Sequence, residues 1–433
     1  MTAPDSYEIV EVKGLLALDS RGTPTVKAMV KTKGGGVGVS IAPSGASVGE
    51  REAVELRDGG KAWAGKGVGL ALSRLNKIVA PRLKGLDSRN QALIDNTLLA
   101  LDGTPNKSFL GGNTTTAVSV AVAKAAASTA GLPLYEYLGG PGARILPTPL
   151  MNVINGGVHA GNDLDIQEFM IVPVGADTLV EALRIAVEVY RTLKTVVAEK
   201  HGKGAVNVGD EGGFAPPISK SEEALGLLEE AVKRAGYQPG SDVLFALDAA
   251  ASQFYDSSSG VYVLEGEGLK LSSGELLDYY MRLIDSYPIA YLEDPFAEGD
   301  WASYREYSGK LSRRVLVVGD DLYCTNPSIL LRGLREGLTN AALLKVNQVG
   351  TLTEALEYAR IALHNGLRVI VSHRSGDSED PFIADLAVAL GAGLIKTGAP
   401  ARGERTAKYN RLIEIEHELG PSALYAREKP FKA

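Results

Sequence analysis

The stretch Ala341-Ala342-Leu343-Leu344-Lys345-Val346-Asn347-Gln348 is an apolar run of strand length that ends on a lysine. Val349-Gly350 follows, and Thr351 then stands three residues before Glu354, the spacing of a capping box. Leu352, Leu356, Ala359 and Leu363 recur at helical spacing, so the whole reads as strand, turn and helix. A lysine at the end of a buried strand loses hydration, which disfavours its charged form and moves it toward the range of a working base. Taken alone, such a lysine is more often a side chain that simply reaches solvent. Its neighbours change that reading, because several other apolar runs end on a polar residue in the same way.

Working outward, those runs end at Asp248, Glu293, Asp320, His373 and Lys396. Helical patterns lie between them, with about 25 residues per strand–helix unit. The first gap is longer, and its extra residues around Asp256-Ser-Ser-Ser-Gly260 read as a hairpin. Upstream, strands at about 150–154 and 167–172 precede two consecutive helices at about 179–199 and 222–235. The set predicts an α/β chain whose C-terminal part is a (β/α)8-type barrel with an irregular ββαα(βα)6 start. Before it, strands at about 7–18, 25–32 and 37–42, the last two joined by Gly34-Gly35-Gly36, are followed by helical patterns at about 68–83, 89–101 and 114–129. These predict a small α+β domain. Gly139-Gly140-Pro141-Gly142 marks the expected division between residues 1–140 and 141–433.

The net charge of −7 argues against nucleic acid as a main ligand, but not against a small anionic substrate, because local charges set the field in a pocket. No run approaches the ~18 apolar residues of a membrane span. The N-terminus lacks the apolar core of a signal peptide. The single cysteine, Cys324, allows no internal disulfide, and the expectation is a cytoplasmic protein. Gly60 to Gly67 nearly matches a phosphate-cradling loop, but Gly67 stands where a hydroxyl is needed and no buried strand precedes it.

In such barrels the C-terminal strand ends open onto one face, which carries the active site. Here three successive ends carry Asp248, Glu293 and Asp320, and the next three carry Lys345, His373-Arg374 and Lys396. Converging carboxylates repel unless a cation lies between them, and all-oxygen ligands favour magnesium over zinc. The cationic half suits a carboxylate or phosphate. Each acid alone is more often a cap or turn residue, but six polar ends in succession mark a site. The loop Gly156–Asn162, with His159, and the glycine-rich Gly209-Asp210-Glu211-Gly212-Gly213 point to the same face. Glu168, which begins the second barrel strand, and Glu211 are candidates for a pair in which one carboxyl stays protonated as a general acid. Pro43-Ser-Gly-Ala-Ser-Val-Gly49 has the composition of a loop that closes on a ligand.

At this point the residues resemble the enolase family. The matching stretches include Leu343-Leu-Lys-Val-Asn-Gln-Val-Gly-Thr351, Ser372-His-Arg-Ser-Gly376, Asn207-Val-Gly-Asp-Glu-Gly-Gly-Phe-Ala-Pro216 and Leu247-Asp-Ala-Ala-Ala-Ser252. Leu292-Glu-Asp-Pro-Phe296, Gln167-Glu-Phe-Met170, Asp19-Ser-Arg-Gly22 and Ile395-Lys-Thr-Gly-Ala-Pro400 match as well. The resemblance implies interconversion of 2-phosphoglycerate and phosphoenolpyruvate by loss of water, with two magnesium ions per site. It implies that Lys345 takes the C2 proton, in keeping with the Lys or His base general to the enolase superfamily. Glu211, assisted by Glu168, would help the C3 hydroxyl leave. Asp248, Glu293 and Asp320 match the ligands of one metal, and Ser47 matches a ligand of the second. Arg374 and Ser375 would hold the phosphate, Lys396 would stabilise the ene-diolate, and His159 and His373 would line the site. Arg21 receives no chemical role. Dimers and larger rings occur in the family, so a homo-oligomer is expected.

Departures from the family pattern are Val48, where threonine is common, Gly111-Gly-Asn-Thr-Thr115, and Gly60. None falls on an implied catalytic position. A racemase or lactonising enzyme of the same superfamily would carry a Lys-x-Lys pair where this chain has Gln167-Glu168, and would lack Ser372-His-Arg-Ser375. A non-catalytic scaffold would have no reason to fill every one of these positions.

Overall fold

The computed structural model describes residues 4–45 and 49–432. Strands β1 (Ile9–Leu18), β2 (Pro24–Thr32) and β3 (Val37–Ile41) form an antiparallel sheet in that order. Val26, Ala28 and Val30 alternate along β2 and bury one face of the sheet, as strand geometry requires. Helical segments follow: α1 (Gly69–Arg74), α2 (Ala80–Leu83), α3 (Gln91–Asp102), α4 (Gly112–Ala130) and α5 (Leu134–Gly139). The single helix predicted over 68–83 is broken by a wider turn at Leu75–Val79, with Pro81 in the first turn of α2. Helix α4 packs on the sheet through Ala117, Ala121 and Ala125. The approach is so close that a methyl group on Gly38 would lie 1.9 Å from the Ala121 carbonyl oxygen.

A short strand β4 (Ile145–Leu146) precedes the barrel strands β5 (Thr148–Asn155) and β6 (Glu168–Pro173) and the helices α6 (Leu179–His201) and α7 (Ser221–Arg234). After β7 (Val243–Asp248) comes the expected hairpin, extended to three strands: β8 (Tyr255–Asp256), β9 (Val261–Leu264) and β10 (Leu269–Leu271). Strand and helix then alternate through α8 (Ser273–Ser286), β11 (Ile289–Glu293), α9 (Trp301–Leu311), β12 (Leu316–Gly319), α10 (Pro327–Glu336) and β13 (Ala341–Leu344). The chain ends with the short α11 (Val346–Val349), α12 (Leu352–His364), β14 (Arg368–Ser372), α13 (Phe382–Ala389), β15 (Gly393–Lys396), α14 (Gly403–Leu419) and β16 (Leu424–Tyr425), which pairs with β4. The barrel is closed in the order β11-β12-β13-β14-β15-β5-β6-β7.

Alternation along each strand divides the barrel into two apolar layers. Ile370, Leu343 and Leu394 fill the interior, while Val369, Val371 and Ile395 face the surrounding helices. Strand β6 runs antiparallel to both neighbours, and its first residue, Glu168, registers with Asn155 and Asp248. The start of β6 therefore lies on the same rim as the ends of the other strands. Thr351 caps α12 by accepting from the Glu354 amide, 3.3 Å away. Its hydroxyl donates to the Glu354 carboxylate at 2.7 Å, in place of the reciprocal backbone bond of a full capping box. No single helix among the described residues is long and apolar enough to cross a membrane.

Candidate active site

The rim gathers almost every residue that the strand ends predict. Strands β12, β13 and β14 stop one residue early, at Gly319, Leu344 and Ser372, so Asp320, Lys345 and His373 stand just past the ladder. Lys396, almost wholly buried, is the hub. Its Nζ donates to Asp248 Oδ2 and to both oxygens of Glu293 at 2.9 Å, and lies 3.1 Å from Glu168 Oε1. Lys345 donates to Asp320 Oδ2. Two lysines thus serve as counter-ions to the acids.

The second carboxylate group lies alongside. Asn152 Nδ2 donates to Glu211 Oε2 at 3.1 Å, and His373 Nε2 is 3.5 Å from that same oxygen. Burial, and next the Glu211 charge, push the Glu168 carboxyl well above the usual carboxylate range. This is the environment expected of a carboxyl that stays protonated. Gln167, Glu168, Glu211, Asp248, Lys345, His373, Arg374, Ser375 and Lys396 line one small polar cavity of about 20 Å³. A larger cleft of about 630 Å³, lined by Val158, Asp163, Asp165 and Glu265 among others, lies outside this cluster and shares none of its titratable groups.

Lys345 departs from the expectation that burial brings it down toward a working base. Burial does act in that direction, but Asp320, with Glu293 behind it, outweighs burial and holds the ammonium above its ordinary range. Burial would likewise raise Asp320, yet Lys345 holds it below the usual carboxylate range. Glu293 is pushed up to about 8 by burial and then by the Asp248 charge.

The donor chemistry fits a hard cation, since every candidate ligand atom is oxygen and a divalent ion would offset both the burial and the Asp248 charge that raise Glu293. Among the described residues, the acids gathered at metal-ligand spacing are Asp294, Asp320 and Asp321. Of these, Asp294 is engaged elsewhere, since its oxygens accept the Asp320 amide at 3.0 Å and the Asp321 amide at 2.8 Å. Asp248 and Glu293 are drawn onto Lys396 instead. Ser47 lies outside the described residues, and so does the side chain of His159, whose backbone ends the turn Gly157–His159.

Several contributing residues carry no mark in the motif reading. Tyr291 donates to Glu293 from two residues earlier on the same strand, a partner that period-2 alternation could have named. Gln348, already in the opening stretch, donates to Asp320 Oδ1 at 2.9 Å. Glu52 meets Arg374, and Arg405 reaches His373 and Arg374 from α14. No local pattern announces those two. Arg21, left without chemistry, donates to Ser44 Oγ and to the Gly45 carbonyl, bracing the segment before Ser47.

Residues 143–433 match the family described as enolase, C-terminal TIM barrel domain, and residues 9–138 match enolase, N-terminal domain. A protein of Aeropyrum pernix named enolase is 60% identical over 422 residues, covering 98% of this chain and 97% of its own length. Proteins of Methanocaldococcus jannaschii and Pyrococcus furiosus, also named enolase, are each 56% identical over 423 residues, covering 98% of both chains. With both halves matched and relatives this similar along their whole length, the chain belongs to the enolase family.

Proposed function

We propose that the rim cluster around Lys396 is where this chain carries out the enolase reaction, with magnesium as its metal. The reaction class follows from the family: the chain is a hydro-lyase, a phosphopyruvate hydratase that interconverts 2-phosphoglycerate and phosphoenolpyruvate in glycolysis and its reversal. The observation that carries the site assignment is the division of the cluster into a lysine–carboxylate half and a Glu168–Glu211 half around one cavity.

Lys345 removes the C2 proton, which lies beside the substrate carboxylate. Arg374 and Lys396 oppose the Lys345 charge, and Asp320, whose charge outweighs them, would be drawn off by a bound cation, leaving the lysine able to accept the proton. Lys396 then donates to the developing ene-diolate. The single proton held by the Glu168–Glu211 pair passes through Glu211 to the departing C3 hydroxyl, which leaves as water, and both carboxyls end ionised. Arg374 and Ser375 hold the phosphate, with His373 and His159 enclosing the site. Asp248, Glu293 and Asp320 would hold one magnesium and Ser47 would join a second; bound there, the ions supply charge to stabilise the dianionic intermediate.

The division of the chain falls at residues 140 and 141, in the glycine-rich segment between the two matched families. The protein is cytoplasmic, as its one buried cysteine suggests. It forms homo-oligomers, dimers or larger, consistent with exposed Val10, Leu16 and Leu18 on the edge strand β1. Its partner is a small molecule, and neither nucleic acid as a main ligand nor a membrane is expected, given the net charge of −7.

The test is the magnesium-dependent rise in ultraviolet absorbance after 2-phosphoglycerate is added to wild type and to Lys345→Ala. The expected result is turnover that chelator abolishes and that the variant lacks by about 10³-fold or more, in the range of general-base catalysis. Full activity in Lys345→Ala would assign the base elsewhere.

A further inference from the structure

Arg405 lies in the first turn of α14 and is among the largest fully buried side chains of the described residues. Its guanidinium is spread over backbone carbonyls. One terminal nitrogen donates to Arg374 O at 2.6 Å, and the other donates to Ser375 O at 2.6 Å and Asp210 O at 3.0 Å. The first of these nitrogens also lies 2.5 Å from His373 Nδ1. A guanidinium stays protonated and has no lone pair to offer, so it is always the donor. The ring nitrogen facing it must then be the acceptor.

A neutral imidazole that accepts at Nδ1 carries its proton on Nε2. That atom is buried, has no hydrogen-bond partner among the described residues, and lies 3.5 Å from Glu211 on the wall of the reaction cavity. We propose that Arg405 is a positioning residue that fixes His373 as the neutral Nε2–H tautomer, making the ring a standing hydrogen-bond donor to the cavity. The tautomer rests on this geometry alone; its kinetic consequence rests on the proposed function.

Burial of the ring favours the same state. Glu211 faces Nε2 and Arg405 faces Nδ1, while Asp377 lies beyond, paired with Lys408 at 3.0 Å and with Arg405 at 3.9 Å. Glu211 and Asp377 favour the imidazolium; burial, with Arg405 behind it, outweighs them and pulls the ring down to about 4. A neutral ring with its only proton on Nε2 cannot serve as a general acid near pH 7, because losing that proton would leave an imidazolate. His373 is thereby excluded as the source of the proton for the departing hydroxyl, in agreement with its assignment to the Glu211–Glu168 pair. His373 can hold Glu211 or a substrate oxygen in place, but it does not exchange protons with either.

The experiment is a long-range ¹H–¹⁵N correlation spectrum of the imidazoles in the full-length ¹⁵N-labelled chain, with His373 identified by the signal missing from His373→Gln. The five histidines make the assignment tractable. The expected result is a bare Nδ1 and a protonated Nε2 whose shifts stay constant from pH 8 to pH 5. An Nδ1–H tautomer, or a His373 that titrates above pH 6, would overturn the proposal.

Arg405→Lys keeps the charge and loses the fork. It is expected to show averaged tautomer shifts and a new inflection near pH 6.5 in kcat for 2-phosphoglycerate. A purely structural Arg405 would lower the melting temperature of that variant and leave tautomer and pH profile as in wild type, which also overturns the proposal. Should Arg405→Lys not fold, the wild-type spectrum decides alone. A wild type that does not turn over 2-phosphoglycerate would remove the proposed function, while the tautomer result would stand or fall separately.

Discussion

Glu52 and Arg374 meet end to end, with guanidinium–carboxylate contacts of 2.9 and 3.1 Å, and both side chains are buried. The pair joins the segment that follows Ser47 to the barrel loop that follows β14. Glu52 Oε1 also accepts the Gly49 amide at 3.1 Å and Gln348 Nε2 at 3.3 Å. Gln348 in turn holds Asp320, so the contact reaches the lysine–carboxylate half of the site.

Glu52→Gln keeps the shape and removes the charge, leaving the Arg374 guanidinium buried beside a weaker acceptor. Breaking one side of a buried pair costs about 3–5 kcal/mol, and the retained amide oxygen keeps this variant near the low end. The expected outcome is a lower urea midpoint together with a raised KM for 2-phosphoglycerate, as Arg374 loses its fixed orientation. A variant with wild-type stability and KM would show that Arg374 is held well enough by its other contacts.

Lys124 in α4 pairs with Asp380 at 2.5 Å, and Asp380 also accepts the Ile41 amide, a second tie between sheet and barrel. Burial alone would raise Asp380, but Lys124 holds it below the usual carboxylate range. A carboxylate lowered on folding adds stability above its unfolded value, about 3.9, and that contribution is lost as pH falls through the folded value. Asp380→Asn should therefore cost ~3 kcal/mol at pH 7, since Lys124 keeps some contact with water. The gap from wild type should start to narrow below about pH 4, where the unfolded chain takes up the proton, and close once pH has fallen through the lower folded value. Urea titrations at pH 7, 5 and 3 check both parts.

Gly38→Ala tests the packing of α4 on the sheet. The added methyl would lie 1.9 Å from the Ala121 oxygen and 2.4 Å from the Ala125 amide nitrogen, both backbone atoms that no rotamer change can move. Overpacking of this kind costs about 1–3 kcal/mol or more. Differential scanning calorimetry should show a lower melting temperature than wild type.

Glu293→Gln separates metal binding from folding. The neutral side chain relieves the crowding with Asp248 while Lys396 keeps Asp248 and Glu168 as partners. Magnesium should raise the melting temperature of wild type through binding to the folded state, and this shift should vanish in the variant. The metal-free melting temperatures should agree within a few degrees. A magnesium shift of wild-type size in Glu293→Gln would exclude Glu293 as a ligand.

Much of this was legible in the sequence because a barrel strand writes its own ending. Asp248, Glu293, Asp320, Lys345, His373 and Lys396 each close an apolar run, and the fold turns that one-dimensional pattern into a ring. Helix α5 escaped notice because its last turn runs into Gly139-Gly140-Pro141-Gly142, which reads as a linker. The charge state of Lys345 escaped for a different reason. Its direction depends on whether Asp320, 25 positions earlier, lies within reach, and nothing in the stretch between them records that distance. Arg405 and Glu52 are further cases of the same kind, long polar side chains whose partners are brought to them only by the tertiary fold.

The reversal of β6 has a consequence for chain routing. A strand that starts at the rim ends at the opposite mouth of the barrel, where β7 must begin. A single crossover helix would return the chain to the wrong end, so the wall is traversed twice, once by α6 and once by α7. The bend between those two helices necessarily comes out at the rim, and it contains Glu211, whose backbone carbonyl accepts the Ala399 amide there. One inverted strand thus delivers two acids to the same mouth: Glu168 at its own first residue, and Glu211 at the turning point of the detour it imposes.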